Sequence, residues 1–167
     1  MHQPYYKDPL AGSYSLPWVR LHGIRSYYDM ARILRDFPEI NVTINLVPSL
    51  LLQILDYQHG TARDLFLEST LKPATDLDLA EQRFILRYFF MASWGTMIKP
   101  LHRYYSLLQD RGMRPDEETL DRALAQFKAR DYLDLQVLFN LAWFGFKALE
   151  EFPELIELRA KGRDYTE

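Results

Sequence analysis

The sequence predicts a mostly α fold with a little β, on three observations. Helical periodicity runs from Gly60 almost to the tail, the segment Ile40–Leu46 alternates apolar with polar residues, and the first 23 residues are punctuated by Pro4, Pro9, Gly12, Pro17 and Gly23. That opening loop also carries Tyr5, Tyr6, Tyr14 and Trp18, large rings that need something to cover. From Ile24, the spacing of Tyr27, Tyr28, Ala31 and Leu34 predicts a helix of about three turns that ends before Pro38. Ile40, Val42, Ile44 and Leu46 then alternate with Asn41, Thr43 and Asn45, which predicts a strand with one apolar and one polar face. Pro48 opens another helix, marked by Leu50, Leu51, Ile54 and Leu55 and closed at His59-Gly60.

Beyond Gly60, Asp78 and Glu81 read as a capping box, followed by an apolar face of Phe84, Ile85, Tyr88, Phe89 and Ala92. Leu101, Tyr104, Tyr105 and Leu108 predict a helix after Pro100 that Gly112 stops. Pro115-Asp116-Glu117-Glu118 forms an acidic first turn for Leu120, Ala123, Leu124 and Phe127. From about Tyr132 to Glu150 the chain is apolar nearly all round, so this stretch should be a buried helix. The polar tail after Lys161 shows no capping signal. There is no internal repeat and no low-complexity linker. A lone strand cannot satisfy its own backbone groups, and the chain begins inside a loop, so the expectation is a piece of something larger.

Length and composition remove several function classes. At 167 residues the chain can bury a core but falls well short of the roughly 250 residues of a complete α/β barrel. Its net charge is −3, with neither sign massed, which argues against a nucleic-acid module. Hydrophobic residues at 48% and charged residues at 26% describe a folded globular chain. The absence of cysteine excludes disulfides, thiolate metal sites and a cysteine nucleophile. No apolar run approaches a membrane span and the N-terminus lacks a signal-peptide core, so a cytoplasmic chain with no membrane partner is expected.

The residues nominate no catalytic centre by themselves. His2, His22, His59 and His102 show no metal-ligand spacing, so no metal and no cofactor are expected. There is no Gly-rich phosphate loop and no Gly-x-Ser-x-Gly elbow. Most carboxylates sit where helices want them, and nothing marks a pair spaced across a glycosidic bond. Two features are more suggestive. Asn45 stands at the C-terminal end of the strand, the end that lines active sites in barrels, although a wet edge strand explains it equally well. In the N-terminal loop, Tyr5, Tyr6, Tyr14 and Trp18 are flat walls for sugar rings while Gln3, Arg20 and His22 are hydrogen-bonding groups; the alternative is a plug on the end of a core.

Several blocks resemble glycoside hydrolase family 57. His2-Gln3-Pro4-Tyr5-Tyr6 is similar to the His-Gln-Pro motif that opens that family, and Pro17-Trp18-Val19-Arg20-Leu21-His22 is similar to the segment that follows it. Asn45-Leu46-Val47-Pro48-Ser49-Leu50-Leu51 resembles the stretch after the family's second barrel strand. Asp134-Leu135-Gln136-Val137, Phe139-Asn140-Leu141-Ala142-Trp143-Phe144-Gly145 and Lys161-Gly162-Arg163 resemble the helical part of one large branch. The resemblance implies the N-terminal fragment of a (β/α)7 barrel plus its helical insertion, a single partial domain over 1–167 with the barrel start in 1–60 and the helical region in 61–167. It further implies retaining chemistry on α-glucan oligosaccharides or polysaccharides, of the amylase, 4-α-glucanotransferase or branching type, through a glutamate nucleophile and an aspartate acid/base.

Two departures matter. Both catalytic carboxylates of the family lie downstream of this sequence, so no catalytic residue is assigned and the chain is expected to be inactive without a C-terminal part of the same enzyme. The first barrel strand, with the histidine that precedes His-Gln-Pro, is also missing. What the resemblance carries over is a substrate-binding set: His2 beside the reactive sugar, Gln3 orienting it, Trp18 as an aromatic wall, Arg20 and His22 fixing that loop, and Asn45 reaching in. Two other readings stand beside this one. The first is a non-catalytic helical module that binds glycan or a partner, or a subunit of a split enzyme, docking through Ile40–Leu46. The second is a metal-dependent barrel related to polysaccharide deacetylases.

Overall fold

The computed structural model describes residues 3–166. The chain forms two compact units, one made of the residues up to Glu68 together with Phe144–Glu151, the other of Ser69–Trp143 with the residues from Phe152.

In the first unit, Asp8 turns the N-terminal loop by accepting from the amides of Leu10 (2.7 Å) and Ala11 (2.9 Å), and Gly12 completes the turn at φ +67°. The loop leads into β1 (Ser13–Tyr14), which pairs in parallel with β2 (Arg63–Asp64), Ser13 opposite Arg63 and Tyr14 opposite Asp64. Tyr14 also bridges back to Lys7. Helical backbone then runs without a break through α1 (Trp18–His22), a π turn at Gly23–Tyr27, α2 (Tyr28–Ile33) and a 3₁₀ turn at Leu34–Asp36. Pro48 starts α3 (Pro48–Gln58) at the first helical position, where its missing N–H costs nothing. Tyr14, Val19, Leu21, Leu50 and Phe66 are among the buried residues here, as are the polar Gln53 and Asp64. α4 (Leu65–Leu71) follows β2 directly.

The second unit is helical. Asp78 and Glu81 make the expected capping box of α5 (Leu79–Tyr88), and Gly112 at φ +95° ends α6 (His102–Arg111). Asp116 caps α7 (Glu117–Gln126) by accepting from Thr119 N at 2.9 Å. α8 (Ala129–Trp143) is the buried centre, with Leu135, Leu138, Phe139 and Leu141 within the core and the Phe139 ring stacked on Phe89 at 4.6 Å. The buried carboxylate of Asp134 takes Arg103 Nε at 2.7 Å and Tyr165 N at 3.2 Å. Gln136 donates to the Ser69 and Lys72 carbonyls at 2.7 and 2.9 Å, and Asn140 to Thr70 Oγ1 at 3.1 Å. These bonds explain why Asp134, Gln136 and Asn140 interrupt the apolar run of this helix. α9 (Phe146–Glu151) returns to the first unit, and α10 (Pro153–Lys161) ends at Gly162, φ +71°, a left-handed cap that the sequence reading missed.

Three expectations need correction. Ile40–Leu46 is not a strand: it joins no ladder, and Ile40, Val42, Ile44 and Leu46 stand 36–54% exposed. Alternation supplies an apolar face, but a strand exists only where a neighbour takes its N–H and C=O groups, and no described segment forms a ladder with it. The strands that do form, β1 and β2, are too short to show a period. Trp18–His22 is helix within a stretch read as loop, because Gly23 is absorbed by the π turn instead of breaking the run. The helix expected over Tyr132–Glu150 breaks after Trp143. There Gly145 donates to Ile24 O at 3.2 Å, and Asp29 takes the amides of Phe146 (3.2 Å) and Lys147 (3.0 Å), starting a new helix.

Candidate functional site

Helix α1 sorts its side chains by periodicity. Trp18 and His22 stand four residues apart on one face, whereas Arg20, two from each, points to the other side. The Trp18 and His22 ring centroids are 6.1 Å apart, and the His22 ring lies 6.3 Å from that of Tyr27 in the π turn. The Tyr27 hydroxyl accepts from Gln3 Nε2 at 3.0 Å, and Gln3 Oε1 accepts from Tyr6 OH at 2.8 Å. Gln3, Tyr27, His22 and Trp18 thus form one connected row of half-buried side chains. Burial, and then the charge of Arg25, pull the His22 imidazole below its ordinary value of 6.5, so the ring is neutral at pH 7 and offers one donor and one acceptor nitrogen.

The loop that presents Gln3 is held from α3. Gln53, fully buried, accepts from Tyr6 N at 2.8 Å and donates to Pro4 O at 3.0 Å and Ser49 O at 2.8 Å, while Ser49 Oγ donates to Gln3 O at 3.2 Å. Gln53 therefore fixes the segment to α3 at Pro4 and Tyr6, and Ser49 fixes it at Gln3.

Arg20 belongs to a different group. Its Nε pairs at 3.3 Å with Asp64, a carboxylate with no exposed surface, which also accepts from Tyr57 OH at 3.0 Å and Phe66 N at 2.9 Å. Burial and the Asp64 charge push the Tyr57 hydroxyl well above the usual phenol range. Asp56 in turn accepts from Lys7 Nζ and Tyr14 OH, both at 2.8 Å, and these bonds hold its carboxyl below the usual carboxylate range. Both carboxylates are therefore taken up by named donors: Asp56 fastens the loop and β1 to α3, and Asp64 fastens α1 and α3 to β2.

Asn45 lies in the exposed segment 40–46, and His2 lies outside the described residues. Sequence reasoning missed Tyr27, Gln53 and Asp64. Gln53 had a readable signal, since it stands three residues from Leu50 on the buried stripe of α3. Asp64 had none, because its value comes from a strand pair that only the fold creates. Among the described residues no three His, Asp or Glu side chains gather as ligands of a metal ion. No helix among them is long and apolar enough to cross a membrane.

The family model of glycosyl hydrolase family 57 matches residues 1–159. The chain belongs to that family. No curated protein and no solved structure matches it. Membership makes the chain part of a group of enzymes that hydrolyse or transfer glycosidic bonds. The matched span of this family 57 chain takes in the Gln3–Tyr27–His22–Trp18 row, the Asp64 group and the second unit as far as Arg159 in α10.

Proposed function

We propose that this family 57 chain is the sugar-binding N-terminal part of a retaining enzyme acting on α-glucan, by hydrolysis or by transfer to a second glucan. The row of Gln3, Tyr27, His22 and Trp18 carries the reading. A pyranose presents apolar C–H faces and a rim of hydroxyls, and an indole beside a neutral imidazole and an amide matches both. In this reading His2 hydrogen-bonds the reactive sugar and Gln3 orients it. Trp18 walls the cleaved bond, His22 and Arg20 hold α1 in place, and Asn45 adds a contact from segment 40–46. The glutamate nucleophile and aspartate acid/base come from a C-terminal part of the same enzyme. Retention requires two carboxyl groups about 5–5.5 Å apart across the bond, and Asp64 and Asp56 are already spent on structural donors.

The test is a titration of the 167-residue chain with maltoheptaose, followed by tryptophan fluorescence, with reducing sugar assayed in parallel. Saturable quenching that Trp18→Ala abolishes, with no sugar released, is the expected result. No quenching, quenching unchanged in Trp18→Ala, or release of sugar by pure protein would each overturn it.

A second reading rests on the exposed apolar residues of segment 40–46: a non-catalytic module or split-enzyme subunit that accepts a partner's strand there. It requires that the chain alone be a monodisperse, cooperatively unfolding monomer, whereas the first reading expects self-association through the same residues.

A further inference from the structure

The second unit contains a cleft of about 430 Å³. One wall is the start of α6, with His102, Arg103 and Ser106. The other is the end of α10 and the turn after it, with Arg159, Lys161 and Arg163. Four of these six side chains are cationic, and among the described residues no carboxylate lines the cleft.

The charges are not equally committed. Arg103 is bound from behind by Asp134 and Asp131, at 2.7 and 2.5 Å, which leaves it part of the frame. Arg163 pairs with Asp164 at 3.0 Å, but both side chains are about two-thirds exposed, so water competes for that bond. Lys161 stands over the Tyr165 ring at 5.7 Å, and Arg159 has no carboxylate partner among the described residues. α6 opens with Leu101 and no side-chain cap, and Leu101, His102 and Arg103 line the same cleft. Arg159 and Lys161 also complement the carbonyl end of α10, but that role does not need an opposite wall, a volume of this size or the exclusion of acids.

We propose that this cleft is a binding site for a small phosphate-bearing molecule, held by Arg159, Lys161 and Arg163 on one side and by the first turn of α6 on the other. A phosphate monoester has three terminal oxygens disposed tetrahedrally and carries up to two negative charges. Donors converging from two elements can each take a different oxygen, whereas a planar carboxylate would leave one side of the cleft unserved. The volume exceeds what a bare phosphate fills and suits one with a sugar-sized substituent. The site stands apart from the sugar-binding reading of the first unit and does not depend on it.

The experiment is a ¹H–¹⁵N NMR titration of the full chain with inorganic phosphate, glucose 6-phosphate and glucose, at fixed ionic strength. Saturable shifts of the His102, Arg103 and Gly162 amides with either phosphate-bearing probe, and none with glucose, are expected. The tighter of the two probes identifies the source as free phosphate or a phosphorylated sugar. The double variant Arg159→Ala, Lys161→Ala should weaken binding by about tenfold or more. Arg114→Ala, Lys128→Ala makes the same change of charge elsewhere on the surface and should leave binding unaltered. Absence of saturation, equal shifts with glucose, or equal weakening by the two double variants would overturn the proposal.

Discussion

Replacing Gly145 by alanine tests the link between α2 and α9 directly. A Cβ at position 145 would stand 2.3 Å from both carboxylate oxygens of Asp29, far inside contact distance. The backbone at 145 is anchored by its own N–H to Ile24 O, so Asp29 is the group that must leave. In leaving, it gives up the amides of Phe146 and Lys147, the first N–H groups of α9. Losing an acidic cap of this kind costs about 1–2 kcal/mol, and with two amides released the expected loss is about 2 kcal/mol. In an Asp29→Ala background the obstruction is gone. There the same substitution should be neutral or stabilising by up to about 1 kcal/mol, since alanine reduces the freedom of the unfolded chain. Native-state hydrogen exchange at Phe146 and Lys147, with urea unfolding of all four proteins, reads the cycle. Equal costs of Gly145→Ala in both backgrounds, or a cost under about 0.5 kcal/mol in the wild type, would refute the reasoning.

Three further outcomes follow from the same geometry. Asp64→Ala leaves Arg20 without its buried partner and strips acceptors from Tyr57 OH and Phe66 N; urea unfolding should show a loss of about 3–5 kcal/mol, and a loss below about 1 kcal/mol would mean the pair is not buried as described. Gln53→Leu keeps the volume but orphans Tyr6 N and Pro4 O, so unfolding should cost about 2–3 kcal/mol and the amide of Tyr6 should lose its exchange protection. The His22 ring should titrate by NMR with a midpoint below 6.5. Because the folded chain takes that proton less readily than the unfolded one, the stability linked to His22 is complete above pH 6.5 and is lost as pH falls through the folded midpoint; a midpoint above 6.5 would reverse the sign.

Helix identity was legible wherever a local signal and a burial pattern agreed. Asp78 with Glu81, Pro48, Gly112 and the apolar girth of α8 each act through neighbours a few residues away, and the structure has a helix start, a helix end or a buried helix at each. The failures share a different cause. Ile40–Leu46 has every local mark of a strand, yet pairing is a property of two segments, and its exposed apolar residues show the pattern without the partner. β1 and β2 fail in the opposite sense: their pairing joins residues fifty apart, with no periodicity in either. At the candidate site, Gln3, Trp18 and His22 were identifiable because ring and amide chemistry travels with the residue type. Tyr27 and Asp64 were not, because each matters only through side chains brought in from elsewhere in the chain.

The return of α9 to the first unit has a consequence in time. Asp29, Arg32 and Asp36 meet the α9 residues Phe146, Lys147 and Glu151 only after the whole of Ser69–Trp143 has been synthesised. At translation speeds of about 5–20 residues per second, the first unit waits roughly 4–15 s on the ribosome with that part of its surface unmet. The bonds of Asp29 to the Phe146 and Lys147 amides are therefore among the last of the first unit to form.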